Sequence, residues 1–148
     1  METTAITKRE NVKPLHVLGT EVRFLCESNI TNGAWSLMEV TLPLGAGPPL
    51  HTHNWAEAYF VIDGDVEFTV ETKQLRAVAG DFIHTPAGVP HGFRGISKDP
   101  ARVLIFDSPA HAGAFFKRVD GEVRELPRDL PKVVSIGEET GIFFCPPA

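Results

Sequence analysis

Three histidines and one glutamate carry the clearest chemistry in this chain. His51 and His53 stand two residues apart, Glu57 follows four residues after His53, and His91 lies in a separate segment. Side chains on a strand alternate between faces, so His51 and His53 point the same way, and Glu57 has the same parity. If the strand resumes after a turn at Asn54–Ala56, Glu57 faces inward beside the two imidazoles. Two imidazoles and a carboxylate converging on one point suit a first-row divalent metal. His91 follows Pro86-Ala87-Gly88-Val89-Pro90. Its prolines fix φ and its glycine permits a sharp bend, so this rigid loop can turn His91 back toward the other three. An ionised glutamate buried beside three histidines is costly without a cation. The rings must be neutral to bind metal, so occupancy falls in acid. Two other readings stay open: four unrelated polar residues lining an opening, or a closed, purely structural site of the kind that four ligands build around zinc.

The elements that must position these residues are short and numerous. Twelve prolines and thirteen glycines punctuate the chain, which suits many strands joined by turns. Strands are expected at Glu21–Cys26 and Trp35–Leu42, with Asn32-Gly33 as the turn signal between them. Ala58–Ile62 and Val66–Glu71 read as a hairpin across Asp63-Gly64. Leu75–Ala79 and Asp81–Thr85 follow, broken at Gly80; then come Phe93–Ile96 and Arg102–Phe106. Strands at this spacing predict a sandwich or barrel. Residues 1–14 form a polar arm, Ala112–Arg118 a short helix, and Leu130–Thr140 a second helix stopped by Gly141. Tyr59 and Val61 share the parity of Glu57 and are expected to line a cavity. Phe82 and His84 share a face of their strand, but sequence does not say whether it is the inner one; His84 either touches substrate or a ligand, or is simply packed. His111 and Phe115-Phe116 either close over the cavity or pack as an ordinary helix. Met38 and Trp35 are expected in the core.

Composition limits the partners. A formal net charge of −5, with no basic run denser than Lys8-Arg9 or Lys117-Arg118, speaks against nucleic acid. No stretch reaches the roughly 18 apolar residues of a membrane helix. The first twenty residues carry Glu2, Lys8, Arg9, Glu10 and Lys13 and lack the apolar run of a leader. Cys26 and Cys145 have no metal or disulfide spacing and read as free thiols in a reducing cytoplasm.

The two ligand segments resemble the signature motifs of the cupin superfamily. The first, G-x5-H-x-H-x3-E-x6-G, is met by Gly45, His51, His53, Glu57 and Gly64; the second, G-x5-P-x-G-x2-H-x3-N, by Gly80, Pro86, Gly88 and His91. Its last position holds Gly95 in place of Asn, which puts the local backbone bracing in question but not the ligands. Trp35–Val40, Gly47-Pro48-Pro49, Ser108-Pro109 leading to Phe115-Phe116, and the ending from Gly141 to Pro147 are similar to bacterial single-domain cupins labelled quercetin 2,3-dioxygenase-like.

That resemblance implies an all-β fold, the cupin double-stranded β-helix or jelly-roll-like barrel, with short C-terminal helical segments. It implies a single cupin domain over 1–148, with an N-terminal arm at 1–15 and a C-terminal extension at 119–148. The implied metal ligands are His51, His53, Glu57 and His91, holding one divalent ion: Fe, Ni, Mn, Co, Cu or Zn. The implied activity is a dioxygenase acting on a small enolic or aromatic substrate, with Glu57 also accepting the substrate proton. The expected pocket is Tyr59, Val61, Phe82, His84 and Phe115. A metal-dependent isomerase or lyase, or a binding protein without turnover, are the alternatives. The family further implies a cytoplasmic homodimer, with the arm at 1–20 available to cover an exposed strand edge.

Overall fold

Glycines mark two of the places where the chain leaves one sheet for the other, Gly64 and Gly80. The computed structural model describes residues 2–146; Met1, Pro147 and Ala148, and with them the last residue of the Gly141–Pro147 ending, lie outside the described residues. Among the described residues, eleven strands build two facing sheets. In chain order they are β1 (Leu15–Val17), β2 (Thr20–Cys26), β3 (Ser36–Leu42), β4 (His51–His53), β5 (Ala56–Asp63), β6 (Asp65–Val70), β7 (Lys73–Val78), β8 (Phe82–Thr85), β9 (His91–Gly95), β10 (Ala101–Ser108) and β11 (Ile142–Phe144). Two helices, α1 (Ala112–Glu122) and α2 (Leu130–Thr140), separate β10 from β11. The six-stranded sheet runs β1-β2-β3-β10-β5-β8 and the five-stranded sheet β11-β4-β9-β6-β7.

This topology corrects the expected hairpin between Ala58–Ile62 and Val66–Glu71. β5 pairs with β10 and β8, whereas β6 pairs with β7 and β9 in the opposite sheet. Gly64 is a crossing rather than a hairpin tip. It has φ +79, and a Cβ there would lie 2.8 Å from the Cα of Ala101, so both the turn and the close approach require glycine. Gly80, at φ +94, makes the next crossing, from β7 to β8. The Asn32-Gly33 signal does join two paired strands: both residues have positive φ between β2 and β3.

The core fills the space between the sheets. Met38, Val40 and Leu42 of β3, Tyr59 and Val61 of β5, Val66 and Phe68 of β6, and Val103 and Ile105 of β10 are buried, on the period of two that strand geometry imposes. Trp35 departs from its expected core place. It precedes β3, is 39% exposed and leans on Phe106 at the outer face. The arm is fastened: its Arg9 guanidinium grips both oxygens of the buried Glu39 carboxylate. β1 then covers the β2 edge within the same chain.

Helix α1 is held at its start by Asp107, a fully buried carboxylate. Its Oδ2 accepts the backbone N–H groups of His111 and Ala112 at 2.9 Å, and the Ser36 hydroxyl donates to its Oδ1. The chain thus caps the helix from the preceding strand, giving otherwise orphaned donors an acceptor. α1 buries Ala112, Phe115 and Val119. α2 ends as expected on Gly141, in left-handed conformation at φ +93, and β11 follows immediately to pair antiparallel with β4.

Candidate metal centre

The four cluster residues come from both sheets. β4 carries His51 and His53, and β9 opens on His91, which pairs directly with His51. Cross-strand partners share a face, so the two rings meet with centroids 4.3 Å apart, and His53 lies 4.8 Å from His91. The loop before His91 is tied to β4 by the Gly88 N–H donating to the His53 carbonyl at 2.9 Å. Glu57 enters from β5 in the facing sheet, between Thr85 and Asp107. All four residues are buried.

Three backbone carbonyls orient the three rings. The Nδ1 atoms of His51, His53 and His91 lie 2.8, 2.9 and 2.8 Å from the carbonyls of Pro49, Trp55 and Val89. A carbonyl only accepts, so each Nδ1 carries the hydrogen and, in a neutral ring, each Nε2 presents a lone pair. Such support is what metal-binding histidines receive from their surroundings. Glu57 Oε1 sits 2.8 Å from His53 Nε2 and 3.2 Å from His91 Nε2, and accepts the Tyr59 hydroxyl at 2.7 Å. Lone pairs thus face a carboxylate oxygen, an arrangement that repels unless a proton or a metal cation sits between them. One atom from each residue falls within 4.8 Å of every other. Donors around one ion at about 2.1 Å each are at most roughly 4.2 Å apart, so shifts of a few tenths of an ångström close the set. The group could hold one divalent ion.

The electrostatics follow from enclosure. Burial, and then the neighbouring His91, push His51 down to about 4, so its ring stays neutral. Burial works to raise the Glu57 carboxyl, but the adjoining His53 and His91 rings, which bridge to it when a proton sits between, outweigh burial and hold the group below the ordinary carboxylate range. Burial and the Glu57 charge raise Tyr59, which therefore donates as a neutral phenol.

The Cupin domain family profile matches residues 38–107, spanning β3 to β10 and all four cluster residues. The chain belongs to the cupin superfamily. It is 34% identical over 91 residues to an uncharacterized protein, SCO3923, of Streptomyces coelicolor, covering 62% of this cupin and 81% of the relative. It is 30% identical over 83 residues to the quercetin 2,3-dioxygenase of Bacillus subtilis, covering 53% of this chain but 24% of that much longer protein. Among solved structures, an RmlC-like cupin from Shewanella frigidimarina superposes with a TM-score of 0.65 at 19% identity, over 74% of this chain and 94% of that one. That likeness carries the double-stranded barrel fold.

Beside the cluster lies a narrow cavity of about 40 Å³. Its apolar wall includes Val40, Phe93 and Ile105 from the barrel, Phe115 and Phe116 from α1, and Ile142 and Phe144 from β11. Of the pocket residues expected from sequence, Phe115 borders this cavity. Tyr59 and Val61 point inward with Glu57 but are wholly enclosed in the core, where Tyr59 packs on Phe68 and Phe93. Phe82 and His84 do not face the cavity, and that expectation is corrected. The register sets Glu57 opposite Thr85 and Tyr59 opposite Ile83, so the inward residues of β8 are Ile83 and Thr85. Phe82 is 64% exposed on the outer face, and His84 is exposed beside it.

Three contributors escape the sequence reading. Trp55 stacks on His53 with centroids 4.1 Å apart and planes within 4°. It has the same parity as His53 and Glu57, a signal hidden by reading Asn54–Ala56 as a turn. Ile142 and Phe144 belong to β11, which is too short to show a periodicity. Gly95, where the family motif has Asn, is braced by backbone: its N–H donates to the Ala46 carbonyl and its own carbonyl accepts from Gly45. A Cβ there would lie 2.6 Å from the Leu42 carbonyl oxygen.

Proposed function

We propose that this cupin is a mononuclear-metal dioxygenase of the quercetinase type, acting on a small enolic or aromatic compound. The observation that carries this reading is the cluster's position on the wall of an apolar cavity that has no lysine or arginine in its lining among the described residues. Such a wall favours a neutral, largely hydrocarbon substrate over a carboxylate, phosphate or sugar, each of which needs compensating charge or hydrogen bonds. The partial similarity to a quercetin 2,3-dioxygenase supports the same choice.

His51, His53, Glu57 and His91 would hold one ion among Fe, Ni, Mn, Co, Cu and Zn. Bound there, the ion would supply Lewis acidity that lowers the pKa of an enol hydroxyl, and a template for oxygen. The chain's own groups do the rest. The three backbone carbonyls keep the imidazole lone pairs aimed inward. Tyr59 fixes Glu57 through Oε1, leaving Oε2 without a protein partner among the described residues and free to take the substrate proton. Phe115, Phe116 and Phe144 exclude water. A cavity that admits benzene measures about 150 Å³, so a substrate must displace part of this wall to enter.

Two further readings attach to this one. The outer face of the six-stranded sheet exposes Phe60, Phe82 and Phe106, which supports a homodimer through that face; light scattering of wild type and Phe82→Lys tests it. No helix among the described residues is long and apolar enough to cross a membrane, and we place the protein in the cytoplasm.

The test is metal analysis of protein purified without a chelating tag, followed by oxygen-electrode assays with maltol and flavonols. About one metal per chain, lost in His53→Ala, and oxygen uptake above a buffer control are expected. Substoichiometric metal, or metal unchanged in His53→Ala, overturns the site. Loaded protein that consumes no oxygen yet converts an enol points instead to an isomerase or lyase.

A further inference from the structure

One buried donor at the cavity has nothing to bond. Trp55 is 3% exposed, and its indole Nε1–H finds no acceptor among the described residues. The neighbouring donors of Thr20 and the cluster histidines are committed elsewhere. The Thr20 hydroxyl donates to the Val17 carbonyl at 2.6 Å, and the Nδ1–H of each cluster histidine is taken by its own carbonyl. The His111 ring lies 5.6 Å from the indole, tilted by 60°, and makes no hydrogen bond with it. A buried N–H left unmade costs about 1–3 kcal/mol, so a fold that keeps one at the wall of a ligand cavity reserves it for something that enters.

Its placement says what that is. The indole lies parallel to the His53 ring at 4.1 Å, and its benzo edge packs toward Gly141, where a Cβ would come within 3.3 Å of the indole Cζ3. The pyrrole edge bearing the N–H is the side not pressed against Gly141. We propose that Trp55 is the substrate-positioning residue of the cavity: its indole N–H donates to an acceptor oxygen of the substrate while a neighbouring hydroxyl of the same molecule lies at the His51-His53-Glu57-His91 cluster. This rests on the enolic-substrate reading above and narrows it. The ligand is a neutral ring compound with a carbonyl adjacent to an enol or phenol hydroxyl, the carbonyl oxygen having a lone pair to spare for the indole. Simple phenols lack that acceptor and gain nothing from Trp55.

The experiment compares nickel-loaded wild type and Trp55→Phe with two probes, maltol, which has the adjacent carbonyl, and phenol, which lacks it. Binding is read by calorimetry, and the maltol carbonyl stretch by difference infrared spectroscopy. Metal content and thermal midpoint verify that the variant is folded and loaded. Phenylalanine keeps the stack on His53 and removes the donor. We expect maltol to bind about tenfold more weakly to Trp55→Phe, the size of one neutral hydrogen bond, with its carbonyl stretch moving to higher frequency and phenol binding unchanged. Should Trp55→Phe not fold, benzothienylalanine in place of tryptophan, in a Trp35→Phe background, exchanges the N–H for sulfur at constant shape and gives the same comparison. Equal weakening of both probes, or an unmoved carbonyl stretch, overturns the role of Trp55 alone. Failure of loaded wild type to bind either probe overturns the enolic-substrate reading and this proposal with it.

Discussion

Replacing Glu57 by glutamine is the most informative single change at the cluster. The substitution keeps shape and the bond from Tyr59 but removes the one anionic donor facing three imidazoles. In wild type, Ni(II) held at a free concentration 100 times its dissociation constant stabilises the fold by about 2.7 kcal/mol. An unfolding entropy of about 2.1 cal/mol/K per residue over 148 residues amounts to roughly 0.3 kcal/mol/K, so the thermal midpoint rises by about 9 °C. Loss of an outer partner of a metal ligand typically lowers affinity 10–100-fold; loss of the charged donor itself should reach at least the upper figure. At the same free Ni(II), Glu57→Gln then sits near half-saturation, where the gain is about 0.4 kcal/mol and the midpoint moves by about 1 °C. The assay is differential scanning calorimetry on EDTA-stripped protein with and without buffered Ni(II), each protein measured against its own metal-free form. A variant that keeps the full wild-type shift and one nickel per chain would show that Glu57 does not coordinate, and the four-donor reading would fall.

Other expectations follow from the same coordinates. His51 is pushed from an ordinary 6.5 to about 4 in the folded chain, so between those values the unfolded chain binds a proton that the folded one refuses. Stability of the metal-free protein should therefore fall as pH drops from about 6.5 toward 4, by up to about 1.4 kcal/mol per pH unit, and His51→Gln should flatten that slope in urea titrations; a wild-type curve level across this window contradicts the enclosure of His51. Gly95→Asn, which restores the family's motif residue, should lose about 1–3 kcal/mol because the new Cβ meets the Leu42 and Pro43 carbonyls; a raised midpoint would show that the backbone there yields. Asp107→Ala strips the acceptor from the backbone N–H groups of His111 and Ala112 at the start of α1 and from Ser36, and should cost about 2 kcal/mol or more, seen as a midpoint lower by about 7 °C; a change under 1 °C would mean that α1 is held elsewhere.

The parts of the fold that sequence makes legible are those decided within a few residues. The alternation through His51-Thr52-His53 and on to Glu57 is local, and so is the stop of α2 at Gly141. Sheet membership is not local. Asp63-Gly64 is as good a hairpin signal as any in the chain, yet β5 and β6 separate because β10 and β8 flank one and β7 and β9 flank the other. For the same reason the inward face of β8 could not be chosen from Phe82-Ile83-His84-Thr85 alone; the choice is made by its register against Glu57 and Tyr59. Gly95 offers the reverse lesson. The bracing that the motif position assigns to an asparagine side chain is supplied here by the backbone of the Leu42–Ala46 turn pressed against it.

The tail links the cavity's wall to the cluster's geometry. β4 is three residues long and meets β9 at one pair, His51 with His91, whereas it meets β11 at three: Ile142 with His53, Phe143 with Thr52, and Phe144 with His51. Ile142 and Phe144, on the ligand side of that ladder, also close the cavity. Moving β11 aside would strip β4 of most of its backbone partners and let His51 and His53 drift. α1 has no such tie to β4. It presents Phe115 and Phe116 to the same cavity and is anchored through Asp107 at its first turn. Rearranging those two side chains would enlarge the cavity while β11 stays paired, and would leave the three imidazoles where their carbonyls hold them.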